Sequence, residues 1–341
     1  MPHYKLPLEN MHGYAIKFSP FTRNRLAVAL SQPYAQIGTG ALLILNYTDN
    51  DHLTTEKQTF TWHDSLLNIC WSKDDPNHIL TSSGDGSLQL WDTNDRNLPI
   101  QVFKEHGAEV YAIDWTTINQ NPQMLSGGWD GKIKLWDPKR KNSIITFDHT
   151  MKNNENYNLI SENNPMIFDV SFSGGHANLF SSVGNDNCLK IWNLNQLDPV
   201  IVVQPKTEGE ILTCDWVEKC DNIIGIGASN GMISVYDLRN SQKKLVELKT
   251  GNELAVRKIK FSPWNSTVLA SVGYDSITRV WDYNNPKEPL NAICQHKDCV
   301  FGVDWDPFEE KRLVDCGWDS IMSVFDVKKN KIPVYIVTSV D

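Results

Sequence analysis

Hydrophobic and polar residues alternate along the chain in short runs separated by turn-forming residues, and residues 104–138 show this pattern most completely. Residues 110–115 have the alternation and the β-branched and aromatic content of a strand. Glycines flank Asp130 within residues 127–131, which favours a tight turn between two strands. Residues 132–136 alternate again and end in Trp136, which is followed by Asp. One such unit is too small to bury its own hydrophobic face, so the pattern predicts that it recurs.

An aromatic residue followed by Asp or Asn recurs at intervals of 45, 56, 44, 45 and 44 residues. These aromatic residues are Trp91, Trp136, Trp192, Tyr236, Trp281 and Phe325. Six positions before each of them lies a turn residue, in order Asp85, Asp130, Asp186, Asn230, Asp275 and Asp319. A period of about 40–45 residues with four strands per unit is typical of a propeller of Trp-Asp repeats. The spacing therefore resembles that of the WD40 family in all six units.

A seventh, degenerate unit precedes the first Trp-Asp pair, because residues 14–20 match residues 256–263. The sequence thus predicts an all-β protein with a single domain over residues 1–341, a seven-bladed WD40 β-propeller. The predicted blades cover approximately residues 13–62, 63–103, 104–147, 166–203, 209–248, 253–294 and 296–341, with an Asn-rich loop inserted at residues 149–165. An open edge strand invites aggregation, so a closing outer strand is expected. Residues 4–9 and 332–339 are candidates for it, and a contribution from each end is favoured.

Charge and composition narrow the possible partners. The formal net charge of −9 argues against nucleic acid or an anionic membrane as the main partner and fits a basic peptide better. No apolar run approaches about 18 residues, so no direct membrane insertion is expected. No phosphate-binding glycine loop, HExxH motif or paired-acid signature occurs in the sequence, and no cofactor is expected. Seven cysteines without a Cys-x-x-Cys motif favour reduced thiols over disulfides or a metal site: Cys70, Cys188, Cys214, Cys220, Cys294, Cys299 and Cys316.

Two sets of residues contain the side-chain types of a Ser-His-Asp hydrolase. They are His106, Ser126, Asp130 and Trp136 in the third unit, and His63, Thr81, Asp85 and Trp91 in the second. A catalytic site would occur once, whereas this set recurs with the period of the fold. The WD40 resemblance implies a structural hydrogen-bond network instead, and the protein is predicted not to be an enzyme. Blade 5 has Asn230 at the turn and Ile226 in place of the strand serine, so it is predicted to lack the network.

The WD40 resemblance also implies where a partner binds. In that family the face that carries the Asp turns usually holds the partner site, and three positions per blade point toward it. Carried onto this sequence, those positions supply Leu67, Tyr111, Trp129, Phe168, Tyr274, Phe301 and Trp318, as well as Arg257, with Tyr14 nearby. Acidic residues accompany them at Asp64, Glu109 and Glu210. Clustered aromatics and acids predict an amphipathic, basic peptide as the ligand; for any one aromatic, ordinary packing within a blade is the alternative.

Phrases along almost the whole chain resemble one family in particular. They include HGYAIKFSPFTRNRLAVA, SGDGSLQLWDT, FKEHGAEVYAIDW, SGGWDGKIKLWDP and VRKIKFSPWNSTVLASVGYD. These phrases are similar to the peroxin 7 family, the WD40 import receptors for the type 2 peroxisomal targeting signal. The resemblance implies a cytosolic receptor that cycles to the peroxisome with enzymes such as 3-ketoacyl-CoA thiolase. Their N-terminal signal, of the pattern Arg/Lys-Leu-x5-His/Gln-Leu/Ala, binds as an amphipathic helix.

The same resemblance implies two further kinds of partner, a co-receptor that helps to enclose the signal helix and docking proteins at the peroxisome. By position, Asp64 and Glu109 would meet the basic side of the signal. Two other interpretations stay open. A histone-binding propeller is also acidic and binds basic helices, and the Asp-x-Arg pattern at Asp237 and Arg239 suggests a substrate adaptor of a ubiquitin ligase.

Overall fold

The computed structural model describes residues 4–33, 38–47, 56–95, 98–149, 165–176, 178–205, 209–218, 220, 222–241 and 243–327. Within these ranges the strands form seven four-stranded antiparallel sheets, each of which is one blade of a propeller. The predicted all-β fold with seven propeller blades is thereby confirmed. Nearly all of the predicted Asn-rich loop lies outside the described residues.

The strands follow the repeat. Blade 1 contains β2 (His12–Phe18), β3 (Arg25–Ser31), β4 (Gly40–Asn46) and β5 (Glu56–Trp62). Blade 2 contains β6 (Leu66–Trp71), β7 (His78–Ser83), β8 (Ser87–Asp92) and β9 (Gln101–Lys104). Blade 3 contains β10 (Val110–Ile118), β11 (Asn121–Gly128), β12 (Lys132–Trp136) and β13 (Ile145–Asp148). Blade 4 contains β14 (Ile167–Phe172), β15 (Leu179–Gly184), β16 (Leu189–Asn193) and β17 (Ile201–Val203).

The remaining blades have the same plan. Blade 5 contains β18 (Ile211–Trp216), β19 (Ile223–Ala228), β20 (Met232–Asp237) and β21 (Lys244–Lys249), with a short 3-10 helix at Leu238–Asn240. Blade 6 contains β22 (Val256–Phe261), β23 (Val268–Gly273), β24 (Thr278–Asp282) and β25 (Asn291–Ile293). Blade 7 contains β26 (Val300–Trp305), β27 (Arg312–Gly317) and β28 (Ile321–Asp326), and its outer strand is β1 (Tyr4–Pro7).

The beginning of the chain closes the ring. The β1 strand pairs antiparallel with β28, with Leu6 opposite Met322. The first and last parts of the described chain therefore share blade 7, and β28 has no free edge. Residues 332–339, the other predicted closing segment, lie outside the described residues.

The hydrophobic core is divided among the interfaces between neighbouring blades. Between blades 2 and 3, for example, Phe103 and Trp136 are fully buried with their ring centroids 5.4 Å apart. The aromatic residues of the repeat are all buried: Trp91, Trp136, Trp192, Tyr236, Trp281 and Phe325. Each blade thus covers one face of the next, which is the physical reason why the unit has to recur.

Hydrogen bonds join neighbouring blades where the innermost strands finish, at the end of the central channel opposite to the Asp turns. An Asp-Trp pair lies there in blades 3, 5 and 7, and each aspartate accepts the backbone N–H of a phenylalanine in the next blade. These bonds join Asp114 to Phe172 (2.7 Å), Asp215 to Phe261 (2.7 Å) and Asp304 to Phe18 (3.0 Å). The indole N–H groups donate in the other direction, from Trp216 to the Ser171 carbonyl (3.1 Å) and from Trp305 to the Lys260 carbonyl (3.0 Å). Blades 5 and 7 are therefore each tied to both of their neighbours.

Candidate functional site

A β-bulge in the innermost strand of every blade builds the face that carries the Asp turns. The pairing register between the first and second strands skips one residue near the start of the first strand. The skipped residues are Tyr14, Leu67, Tyr111, Phe168, Leu212, Arg257 and Phe301. A bulge leaves its residue outside the ladder and re-aims the side chain. All of these residues except Leu212 line one small cavity at this end of the central channel, which is called the channel mouth below.

A first group of stacked rings lies beside the channel mouth in blades 3 and 4. The rings of Tyr111 and Trp129 stack with their centroids 4.6 Å apart, and Phe168 meets Trp129 edge-on at 6.4 Å. Such pairs contribute about 0.5–1.5 kcal/mol beyond the burial of their area. The residue before the turn Asp therefore packs on the bulged residue of its own blade, and the two reach this face together.

A second group of rings joins blades 6, 7 and 1. Phe301 stacks on Trp318 with centroids 4.6 Å apart and on Tyr274 at 5.7 Å. Tyr14 meets Phe301 edge-on at 5.4 Å, and His12 stacks on Trp318 at 5.3 Å. The first and last blades are thus connected by side chains at this face as well as by the closing strand.

Arg257 connects the two groups of rings. Its guanidinium carbon lies 5.8 Å from the ring centroid of Tyr111 and 5.2 Å from that of Phe301. Each distance suits a cation–π attraction of roughly 0.5–2 kcal/mol. A side chain from blade 6 therefore reaches across the channel mouth to blade 3. It brings a positive charge into the aromatic surface, which consists of Tyr14, Tyr111, Trp129, Phe168, Tyr274, Phe301 and Trp318.

The tyrosine hydroxyls at the channel mouth are neutral at physiological pH. Burial is the largest cause that raises the pKa of Tyr14 and of Tyr111, and the nearby charge of Arg257 only partly opposes it. The positive charge of Arg257 is therefore not balanced by a phenolate.

The three predicted acidic residues lie in blades 2, 3 and 5. Asp64 Oδ1 accepts the backbone N–H of Ser65 at 2.6 Å. The backbone carbonyl of Glu109 accepts the N–H of Trp129 at 2.9 Å, which places this residue beside the first group of rings. Glu210 is exposed, and its backbone is paired with that of Ser229. Among the described residues none of these three carboxylates forms an ion pair, so each can meet a cation of a partner.

The predicted ligand-facing side chains come together, but they cover one another more than the sequence suggests. Leu67 and Phe301 are buried, with 3% and 5% of their surface exposed, and they pack with Tyr14 in one small cluster. Tyr274 is the exposed member of the set, at 43%. The half-buried members are Tyr111, Trp129, Phe168 and Trp318. The rings of the aromatic surface therefore pack on one another and form a preformed surface, rather than a row of separate exposed rings.

Two features of this face do not follow from the repeat pattern alone. One is the stacking of His12 on Trp318, and the other is the central place of Arg257. The sequence places Arg257 on this face, at the bulge position that it shares with Tyr14, Tyr111 and Phe301, but its contacts with rings of blades 3 and 7 are seen only in the structure.

The hydrogen-bond network predicted for blade 3 is present. His106 Nδ1 lies 3.0 Å from Asp130 Oδ1, and His106 Nε2 lies 2.7 Å from Ser126 Oγ. Trp136 Nε1 donates to the same Ser126 oxygen at 2.8 Å. Ser126 and Trp136 are fully buried, so the hydroxyl is closed to a substrate. A satisfied network of this kind stiffens its blade.

Blade 2 departs from the prediction. His63 Nε2 lies 3.0 Å from Asp85 Oδ2, but the His63 side chain is 65% exposed and is not bonded to Thr81. Thr81 Oγ1 instead donates to Gln89 Oε1 at 2.8 Å, and Gln89 Nε2 donates to Ser87 Oγ at 2.6 Å. The Ser87 hydroxyl then donates to Asp85. The prediction that His63 links the strand threonine to the turn Asp was therefore wrong, because the buried Gln89 takes that place.

The indole part of the network is more uniform. A tryptophan N–H donates to the strand Ser or Thr in four blades, from Trp91 to Thr81 (2.9 Å), Trp136 to Ser126 (2.8 Å), Trp192 to Ser182 (2.8 Å) and Trp281 to Ser271 (2.8 Å). Blade 5 has Tyr236 and Ile226 at these positions, and both are buried in an apolar cluster. That blade lacks the network at these positions, as its sequence predicts.

The Asp-x-Arg pattern of blade 5 serves local structure. Asp237 Oδ1 accepts the backbone N–H of Arg239 at 3.0 Å at the start of the 3-10 helix, and Arg239 Nη2 donates to Asp237 Oδ2 at 2.6 Å. The pattern follows β20, at the end of the blade opposite to the Asp turns. Within the described part of the chain, no helix is long and apolar enough to cross a membrane.

The sheets, the turns and the recurring network define the class of this protein, a WD40-repeat β-propeller. A family model for the WD domain, G-beta repeat, matches residues 54–92. A second model, for the N-terminal domain of nucleolar protein 10-like proteins, matches residues 95–300. Its name describes this domain as a β-propeller, so both matches place the chain in the class that the fold defines.

Comparison with full-length proteins narrows the class. The peroxisomal targeting signal 2 receptors of Homo sapiens and Mus musculus are 36% and 35% identical to the chain. These matches cover 86% and 88% of the chain and 85% and 89% of the two receptors. The receptor of the same name from Saccharomyces cerevisiae is 28% identical over 87% of the chain and 92% of its own length. The chain belongs to the family of peroxisomal targeting signal 2 receptors.

Proposed function

We propose that this protein binds the type 2 peroxisomal targeting signal as an amphipathic, basic helix that lies across the channel mouth. The observation that carries the proposal is the presence, on one face, of the aromatic surface and of the Asp64 and Glu109 carboxylates, which form no ion pair within the described part of the chain. A helix with one apolar and one basic side would pack the first on the rings and bring the second to the acids. Membership of the receptor family supports the same ligand.

The shallow shape of the channel mouth supports a role for a co-receptor. The cavity there has a volume of only about 20 Å³, so a helix would lie on the rings rather than enter a pocket. One side of that helix would stay in water, and the gain from burying the other side must offset the cost of association. A second protein that covers the outer side of the helix would raise the affinity.

The proposed cargo is a set of peroxisomal matrix enzymes such as 3-ketoacyl-CoA thiolase. In this proposal the receptor meets its cargo in the cytosol and delivers it to docking proteins at the peroxisome. In this proposal the propeller contributes recognition and no chemistry, since the Ser126 hydroxyl of the hydrolase-like set in blade 3 is buried inside the blade.

A binding measurement on the full chain tests the proposal. Fluorescence anisotropy would compare a 15-residue peptide that contains Arg-Leu-x5-His-Leu with a scrambled peptide of the same composition. We expect the ordered peptide to bind at least about tenfold more tightly, a difference of about 1.4 kcal/mol. In a pull-down of the protein with the same two peptides, added cell extract should increase retention on the ordered peptide if a co-receptor is required.

A basic-peptide scaffold of the histone-binding type is the second candidate, and the unpaired carboxylates alone would suit it. A histone-tail peptide of equal net charge distinguishes the two functions. Equal affinity for the histone-tail, ordered and scrambled peptides would mean that the face reads charge only, and the receptor function would then be rejected.

A further inference from the structure

We propose that Arg257 is a specificity-determining residue that selects a hydrogen-bond acceptor or a negative charge at one point of the bound peptide. The face would then recognise a fixed arrangement of charges in the peptide, because its acids lie in blades 2 and 3 and its cation lies at the centre. This inference rests on the proposed function, since it concerns the ligand of the same surface.

The first support is the unused hydrogen-bonding capacity of Arg257. A guanidinium carries five N–H donors, and its ring contacts with Tyr111 and Phe301 attract the charge without giving those donors an acceptor. Among the described residues, Arg257 has neither a hydrogen bond nor an ion pair. In the free protein water serves the donors, but a peptide that covers the channel mouth displaces this water and has to supply acceptors itself.

The second support is that the carboxylate in the lining of this cavity is already engaged. Asp169 lines the same cavity as Arg257, but its Oδ2 accepts Lys258 Nζ at 2.7 Å and Thr213 Oγ1 at 2.8 Å. The same oxygen accepts the backbone N–H of Cys214 at 3.2 Å. Asp169 is therefore already bound by Lys258, Thr213 and the Cys214 backbone, and the charge of Arg257 remains available to a ligand.

The third support is the arrangement of charges across the face. Asp64 and Glu109 belong to neighbouring blades, whereas Arg257 reaches the centre from blade 6. A helix that is basic along its whole length would place a cation against Arg257, where like charges repel. The complementary helix has its cations over blades 2 and 3 and acceptors over Arg257. These acceptors are the side chain of Asp, Glu, Asn, Gln or His, or the free carbonyls of the last helical turn, which carry a partial negative charge.

A charge scan of the ligand tests this inference. Each position of the 15-residue Arg-Leu-x5-His-Leu peptide is replaced in turn by Glu and by Lys, and affinities are measured for the wild type and for Arg257→Gln. With a side-chain acceptor, we expect one position, or two a helical turn apart, where Glu strengthens and Lys weakens binding to the wild type. Each effect should be about tenfold, or about 1.4 kcal/mol, and Arg257→Gln should abolish both.

Main-chain carbonyls as the acceptors give a different result. In that case no position stands out, and Arg257→Gln weakens every peptide by a similar factor while Arg257→Lys, which keeps the charge, recovers part of the loss. The matched control is Arg239→Gln, which removes an exposed arginine at the opposite end of blade 5 and should leave the scan unchanged. If Arg257→Gln does not fold, the scan on Arg257→Lys decides, because loss of the planar fork must weaken the preference at the same position.

The outcomes separate the inference from the function on which it rests. If the parent peptide binds and wild type, Arg257→Gln and Arg257→Lys bind every peptide of the scan with the same affinity, the inference is overturned and the receptor function stands. If ordered and scrambled peptides bind equally or not at all, the proposed function is overturned and the inference falls with it.

Discussion

His296 Nε2 lies 3.0 Å from Asp315 Oδ1, at the strand position where blades 3, 4 and 6 carry a serine. The other ring nitrogen of His296 lies 2.9 Å from the turn residue Asp319. Burial by itself would lower the pKa of His296, but hydrogen bonds and charge from Asp315 and Asp319 outweigh it and raise the pKa to about 9. Phe325 lies where blades 2, 3, 4 and 6 have a tryptophan, so no indole N–H competes for the carboxylate. Blade 7 therefore contains a buried histidine–aspartate pair at the position where blade 3 has a histidine–serine bond.

The stability of the protein should depend on pH because of this pair. A group whose pKa is raised by folding stabilises the fold below its unfolded pKa, and the contribution is lost as the pH passes the folded value. For His296 this window runs from its ordinary value of 6.5 to about 9. We expect the unfolding temperature to fall across that window, and to fall less in Asp315→Ser, which copies blade 3. Thermal unfolding at constant ionic strength measures both, and parallel profiles would contradict the assignment.

Removal of one hydroxyl should show what the network of blade 3 contributes. Ser126→Ala takes away the partner of both His106 and Trp136, and the free energy of unfolding should fall by about 1–3 kcal/mol. Ser271→Ala is the matched control, since Ser271 is likewise buried and accepts an indole N–H from Trp281 without a histidine bond in the described structure. Urea denaturation should show the larger loss for Ser126→Ala. Equal losses would mean that the histidine bond adds nothing.

Charge reversal at the channel mouth should weaken peptide binding. Glu109→Lys places a cation beside the first group of rings, where the basic side of the ligand is proposed to lie. Coupling energies of close charge pairs start near 1.5 kcal/mol, so the affinity for the ordered peptide should fall by about tenfold or more. Glu310→Lys makes the same change at an exposed residue in the loop between β26 and β27, at the opposite end of the propeller. Similar affinities for wild type and Glu109→Lys would remove this residue from the proposed site.

Loss of the closing strand should open the ring. Deletion of residues 1–7 removes β1 and leaves the backbone edge of β28 without its partner. We expect a lower unfolding temperature and association that grows with protein concentration, because unpaired edges template intermolecular pairing. Deletion of residues 1–3 leaves β1 whole and serves as the control. Light scattering and thermal unfolding decide, and a truncated protein that behaves like the control would show that closure does not depend on β1.

The parts of the structure that were predictable from the sequence are those set by spacing. The interval between Asp130 and Trp136 recurs in every Trp-Asp unit, and it fixes a turn and a third strand without knowledge of the neighbouring blades. Six blades and the network of blade 3 follow from it, and the seventh blade follows from the match of residues 14–20 to residues 256–263. A second signal went unused: Asp-Trp at residues 114, 215 and 304 alternates by blade with Phe at residues 18, 172 and 261, and the two sets bond to each other across the blade interfaces.

Other features depend on how far a side chain reaches and on what it meets. Gln89 replaces His63 in blade 2 because its amide is long enough to join Thr81 to Ser87, and this substitution lies outside the repeat pattern. Arg257 is one residue among seven at the bulge position. Its contacts with Tyr111 and Phe301 arise only because the blades close into a ring of this size.

The pairing of β1 with β28 has a consequence for synthesis. The ribosome makes β1 (Tyr4–Pro7) long before its partner β28 (Ile321–Asp326), because residues 8–320 are made between them. At about 5–20 residues per second, this delay is on the order of tens of seconds. During that time the blades of the nascent protein cannot close into a ring. The rings of Tyr14 and Phe301 meet where blades 1 and 7 close the ring, so the aromatic surface is completed in the same step. A chain that ended within blade 7 would lack both the closing strand pair and the complete aromatic surface.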